Sequence, residues 1–240
     1  MIRNMVRSRS EICVLASIYD PTKNGNSVNQ RLRLFQAVLL CLALMFGVAA
    51  AAIGDPLGDG IDALDRKDYA SAISLWRPLA EHGDANAQAY LGLMYQEGWG
   101  VQKDLVAAVA WYRLAAAQEH ASAQEELANC YEKAEGTNRD MSLALSWHER
   151  AANHGLVRAQ LSLGVLFLGF DGVQKDNISA FKWLDLAAKG GKGPKLGDDS
   201  EYVRKSVQKW AAKNRDSLAM KMSPEELAEA NRLESDWHPN

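Results

Sequence analysis

From residue 87 onward, the apolar positions are helical over short distances and self-similar over long ones. Ala87, Leu91 and Tyr95 stand at i, i+4 and i+8. So do Ala123, Leu127 and Tyr131, and then Ala159, Leu163 and Phe167. This spacing puts one apolar stripe on a helix and does not fit a strand. A second stripe sets a large residue four positions before a small one: Trp76–Ala80, Trp111–Ala115, Trp147–Ala151 and Trp183–Ala187. Polar positions keep the same rhythm. Gln88, Gln124 and Gln160 are 36 apart, as are Gly100, Gly136 and Gly172, and Asp104, Asp140 and Asp176. A period of this length is the signature of a solenoid, whose units bury their apolar faces only by stacking on their neighbours.

Each unit reads as two helices. Helix A is expected over 85–97, 121–133 and 157–168, and helix B over 105–118, 141–153 and 177–189. Gly98 and Gly100, Gly136, and Gly169 with Gly172 lie between them, where a left-handed residue ends helix A. Asp104, Asp140 and Asp176 stand where helix B begins and suit its free N–H groups. Gly92 and Gly164 fall inside helix A, a costly place for glycine, and predict close approach of helix B with the Trp or its neighbour filling the space. Asp68–Gly83 reads as the helix B of an incomplete leading unit.

After Trp183 the register stops. The period calls for Ala-Gln at 195 and 196, but Lys195 and Leu196 stand there, within the breaker-rich run 190–197. A polar helix is expected over about 200–220, with a narrow stripe of Tyr202, Val203, Val207, Trp210 and Ala211. Ser223-Pro224-Glu225-Glu226 is a capping box opening a last helix, with Leu227, Ala230, Leu233 and Trp237 along one side. The fold class expected is all-α: a right-handed α/α superhelix of about three helix pairs, with a leading partial repeat and C-terminal capping helices. The expected divisions are 1–52, 53–83, 84–191 and 192–240.

Residues 34–52 are 19 positions without charge, preceded by Arg31 and Arg33 and ending in four alanines, with Asp55 and Pro56 beyond. Basic, apolar, small and then polar is the order of a secretory signal peptide, with a membrane anchor as the alternative. The expectation is an exported chain, periplasmic or secreted, or else anchored in the inner membrane. Residues 1–52 carry +4 of a net −3, so their removal leaves −7. No basic footprint for nucleic acid is present, and a membrane partner is expected only if the N-terminal segment is uncleaved. Cleavage also leaves Cys130 as the single cysteine, which has no internal disulfide partner.

Candidate chemistry is sparse. His82-Gly83 and His154-Gly155 end B helices, and His120 sits near the same place; a histidine there complements the helix dipole. His148-Glu149 is followed by Ala152 where a zinc-hydrolase motif needs its second histidine, and the glycine-rich run at 190–197 lacks phosphate-loop spacing. No catalytic residue, metal site or cofactor is expected. The repeat Trp residues are expected to be core.

The pattern A-Q-x-x-L-G-x-x-Y-x-x-G-x-G-V-x-x-D followed by A-x-x-W-x-x-x-A-A resembles the Sel1-like repeat, a longer relative of the tetratricopeptide repeat. Ala87–Ala116 matches almost fully, Ala123–Ala152 departs at Ala128, Ala134 and Thr137, and Ala159–Ala188 departs at Phe167 and Phe170. The resemblance implies a non-catalytic adaptor for another protein or peptide, in many bacterial members outside the cytoplasm. One branch has a disulfide in each repeat and is linked to β-lactams; this chain lacks the paired cysteines. The alternatives are a peptidoglycan- or β-lactam-binding protein and a membrane-anchored assembly factor. By analogy with tetratricopeptide repeats, helix A residues outside the repeating set line a concave binding face. They are Asn86, Ala89, Leu93, Gln96 and Glu97; Ser122, Glu125, Asn129, Glu132 and Lys133; and Arg158, Leu161, Val165 and Leu168. The face passes from polar and acidic to apolar, and its apolar end is expected to be covered by the C-terminal helices or by a partner.

Overall fold

The computed structural model describes residues 55–190 and 201–239. The segment read as a signal peptide or anchor, and residues 191–197 of the breaker-rich run, lie outside them. Ten helices follow one another among the described residues: α1 (Pro56–Asp65), α2 (Tyr69–Glu81), α3 (Ala85–Glu97), α4 (Leu105–Ala116), α5 (Ala121–Lys133), α6 (Met141–Asn153), α7 (Val157–Leu166), α8 (Asn177–Lys189), α9 (Glu201–Ala219) and α10 (Pro224–Ser235). From α1 to α8 each helix packs on the one before and the one after it. Further on, α8 also receives α9 and α10, and α9 touches α7.

Local chemistry accounts for the boundaries. Asp68, Asp104, Asp140 and Asp176, each 36 apart, start α2, α4, α6 and α8. Every one accepts backbone N–H bonds from the first turn. The loop before the last three of these helices closes in one way: the N–H groups of Asp104, Asp140 and Asp176 donate to the carbonyls of Tyr95, Tyr131 and Phe167. Gly98 ends α3 in the left-handed region. Ala134 ends α5 there too, at φ +61°, without glycine's freedom. The third A helix stops at Leu166, short of the expected 168, and the chain turns left-handed at Gly169. The first expected B helix ends at Ala116 instead of 118. His82 and His154 follow their helices as expected, but His120 does not. It is the N-cap of α5, and its Nδ1 accepts the Ala123 N–H at 3.2 Å. Asp84 holds the matching place before α3.

The recurring glutamine has a structural role. The Nε2 amides of Gln88, Gln124 and Gln160 donate to the carbonyls of Ala80, Ala116 and Ala152. Each thus ties the start of an A helix to the end of the B helix before it, inside the core where such carbonyls need partners.

Packing corrects the tryptophan reading. Trp76 is wholly buried, but Trp111 and Trp147 are only partly so. The buried B-helix position at the true period is Trp76, Tyr112, His148 and Leu184, all inaccessible to solvent. The spacing of 35 between Trp76 and Trp111 marks the mismatch: Trp111, Trp147 and Trp183 occupy the preceding position. Trp183 is buried because Trp237 meets it edge-on, with ring centroids 6.4 Å apart. The glycines of the A helices face the buried position. A Cβ at Gly92 would lie 2.5 Å from the Tyr112 ring, and one at Gly164 2.6 Å from Leu184 Cγ. In the same way Gly60 of α1 lies directly against Trp76, whose indole N–H donates to the Leu57 carbonyl. The stretch 68–83 therefore has a helical partner of its own.

Candidate interaction surface

The residues expected to line a binding face separate into three groups. The first is consumed by packing. Ala89 and Ser122 are fully buried, and Glu125 is nearly so. Glu125 accepts from Arg158 at 3.1 Å, and Glu126 lies 3.6 Å from the same guanidinium. Glu125 and Arg158 thus join neighbouring A helices. Gln96 accepts from the Tyr112 hydroxyl at 2.9 Å. Leu168 packs on a cluster that includes Ala211, Leu218, Met222 and Ala230, so the C-terminal helices cover much of the apolar end; Leu161 touches the same cluster while also lining the groove of the third group. The second group is open: Asn86, Glu97 and Lys133 are exposed, and Leu93 partly so.

The third group meets in one place. Asn129 and Glu132 of α5, and Leu161, Ser162, Val165 and Leu166 of α7, form a groove of about 250 Å³ with Asp171 and Trp210. Trp210 belongs to α9 and is 45% exposed. Its participation was not legible in the sequence, because α9 lies outside the repeat and no period carries it to α5 and α7. Both carboxylates of the groove are held from outside it. Arg139 Nη2 donates to Asp171 Oδ1 at 2.9 Å, and Glu132 Oε2 lies 3.4 Å from Nε2 of the buried His148. The hydrogen bond from His148 holds the Glu132 carboxyl below its usual range, against the opposing effect of burial.

Burial pushes the Cys130 thiol up to about 12, so it is not a thiolate at neutral pH. Among the described residues no group of three or more His, Cys, Asp or Glu is placed to hold a metal, and no helix is long and apolar enough to cross a membrane. Further hollows among the described residues include two. One is rimmed by stacked Tyr69 and Trp99 together with Ile61, Leu64 and Tyr90; the other lies between Phe167, the 174–178 segment and Glu226.

Helix pairs in tandem, joined by repeating caps and glutamines, define an α-solenoid of the tetratricopeptide-like class. The sequence model of the Sel1 repeat matches residues 48–84, 85–120, 121–156 and 157–192, so the chain belongs to the Sel1 repeat family and carries four repeats. Solved structures resemble it, two of them as follows. A Sel1 repeat protein from Oxalobacter formigenes is 32% identical over 58% of this chain and 55% of its own, with a TM-score of 0.55. A protective antigen present in uropathogenic Escherichia coli strains, displaying an SLR fold, is 30% identical over 70% of this chain and 32% of its own, with a TM-score of 0.58. The match thus spans about half the length of the first structure and a third of the second. No curated protein sequence matches. Sel1 repeats generally mediate protein–protein interaction and are generally non-catalytic scaffolds.

Proposed function

We propose that this chain is a non-catalytic scaffold of the cell envelope. It takes a segment of a partner protein along the face of its A helices, centred on the groove of Asn129, Glu132, Leu161, Val165 and Trp210. The observation that carries the reading is the composition of that groove. Asn129, Glu132, Leu161 and Val165 lie outside the repeating set that builds the stack, and they converge on a large exposed aromatic from a non-repeat helix. Tryptophan is over-represented among residues that anchor interfaces.

Crosslinking tests the reading. A photoreactive residue at Val165 in the native host is expected to give a discrete protein adduct. One at Val106, 68% exposed on α4, is the control. Equal adducts at both positions, or an adduct at 106 alone, would remove the groove from the proposal. The envelope location rests on the basic, apolar and small-residue order before Asp55. N-terminal sequencing of the protein from its host checks it, with a start just after the alanine run expected.

A further inference from the structure

We infer that the groove between α5, α7 and α9 receives a basic side chain, lysine or arginine, flanked by an apolar residue of an extended partner segment. The inference rests on the scaffold reading and adds the chemistry of its ligand.

The groove has two kinds of wall. Leu161, Val165 and Leu166 provide an aliphatic floor, with the exposed Trp210 beside it. Glu132 and Asp171 provide negative charge, Asn129 and Ser162 add uncharged polar groups, and no lysine or arginine is among the lining residues. An acidic partner segment would bring like charges together in a partly enclosed place. A wholly apolar one would cover the second oxygen of each carboxylate, which Arg139 and His148 do not bond, and that is costly. A cation meets both features, because it pairs with the carboxylates and is attracted to the face of an indole. Its aliphatic stem, with the neighbouring apolar residue, covers the leucine and valine floor.

The two carboxylates are already positioned. Arg139 is bonded to one oxygen of Asp171, and His148 lies against one oxygen of Glu132. These contacts fix the side chains before a ligand arrives, which lowers the ordering cost of binding. The repeat register isolates the feature. The positions matching Glu132 are Gly60, Gln96 and Leu168, and none is ionisable. The acid at this point belongs to one repeat and not to the packing pattern.

The test uses the purified full-length chain and fluorescein-labelled synthetic peptides, eight residues long, that present Leu-Arg, Leu-Lys, Leu-Gln or Leu-Glu at the centre. Fluorescence anisotropy is expected to show saturable binding of the Arg and Lys peptides and none of the Glu peptide, with affinity falling as salt is raised. Trp210→Ala and the double variant Glu132→Gln with Asp171→Asn are each expected to weaken binding about tenfold. Trp210 is exposed, Gln keeps an acceptor for His148, and Asn tolerates the left-handed backbone at 171 (φ +55°), so all three changes preserve the fold; circular dichroism checks this.

Preference for Gln or Glu peptides, no binding of any basic peptide, or basic binding untouched by these variants would overturn the inference. A neutral or acidic peptide whose binding is lost in Trp210→Ala would sink the cationic ligand while leaving the groove as the docking place. The crosslinking at Val165 decides that second question independently.

Discussion

Ala134 closes α5 at φ +61° and ψ +34°, where the preceding unit uses Gly98. A left-handed alanine costs about 1–2 kcal/mol relative to its ordinary backbone, and glycine returns part of that through its freer unfolded chain. Ala134→Gly is therefore expected to stabilise the protein by about 1 kcal/mol, read as a higher midpoint in urea; an unchanged or lower midpoint would refute the argument. Gly92 presents the opposite case. Alanine is the better helix former by about 1 kcal/mol, but a Cβ here lies 2.5 Å from a ring that is fully buried and held by Gln96. Overpacking of about 1–3 kcal/mol outweighs the propensity gain, so Gly92→Ala is expected to lower the thermal midpoint. Ala128, at the matching position of the next unit, shows that alanine is accepted where the facing period position holds His148 in place of Tyr112. This trade was half visible in the sequence: the internal glycines announced a close approach, and only the packed helices showed that Tyr112, not Trp111, makes it.

At the scale of the element, the last three repeats use the same pair of positions for a different contact between their two helices. Gln96 and Tyr112 share a neutral hydrogen bond, Glu132 meets His148, and Leu168 and Leu184 belong to one apolar cluster. The middle pair makes stability depend on pH. Glu132 has its folded value lowered by the bond from His148. Its contribution is thus complete above the ordinary carboxylate range and disappears as pH falls through the lowered value. Unfolding experiments below about pH 4 are expected to show a loss that Glu132→Gln lacks; parallel acid limbs for the two proteins would refute this. The helices themselves were the most legible part of the chain. Asp at each B-helix start, Gly after most A helices and the capping box at Ser223 act within four residues of their own backbone, and so a linear reading finds them. His120 stands two residues beyond the register of His82 and His154, at the place of Asp84, and its bond to Ala123 makes it an N-cap.

For the described part of the molecule taken together, the last question is how the stack ends. Beyond the fourth repeat, α8 is covered by α9 and α10 through Ala211, Leu218, Met222 and Ala230, all buried. Lys189 bridges Asp185 and Glu234, Arg215 donates to Asp185, and Trp237 donates to Asn153. Terminal units of solenoids need such cover because their apolar faces have no further repeat to meet. Removing residues 222–240 takes Met222 and Ala230 from the cluster that holds Phe181, and Trp237 from Trp183, and is expected to lower both thermal stability and solubility. An unchanged melting temperature for the shortened chain would show that α10 does not close the stack.

The sequence by itself determined the helix pairs, their caps, the order of the repeats and the family, because these depend on contacts a few residues long repeated at a fixed interval. The tertiary structure alone decided which aromatic of each B helix is buried, which expected surface residues are spent on joining repeats, and that Trp210 faces Glu132 and Val165. Those outcomes depend on how helices rotate against partners 16 to about 80 residues away. A period cannot encode that rotation where one position holds Trp76, Tyr112, His148 and Leu184 in turn, or where, as in the C-terminal helices, the chain leaves the period.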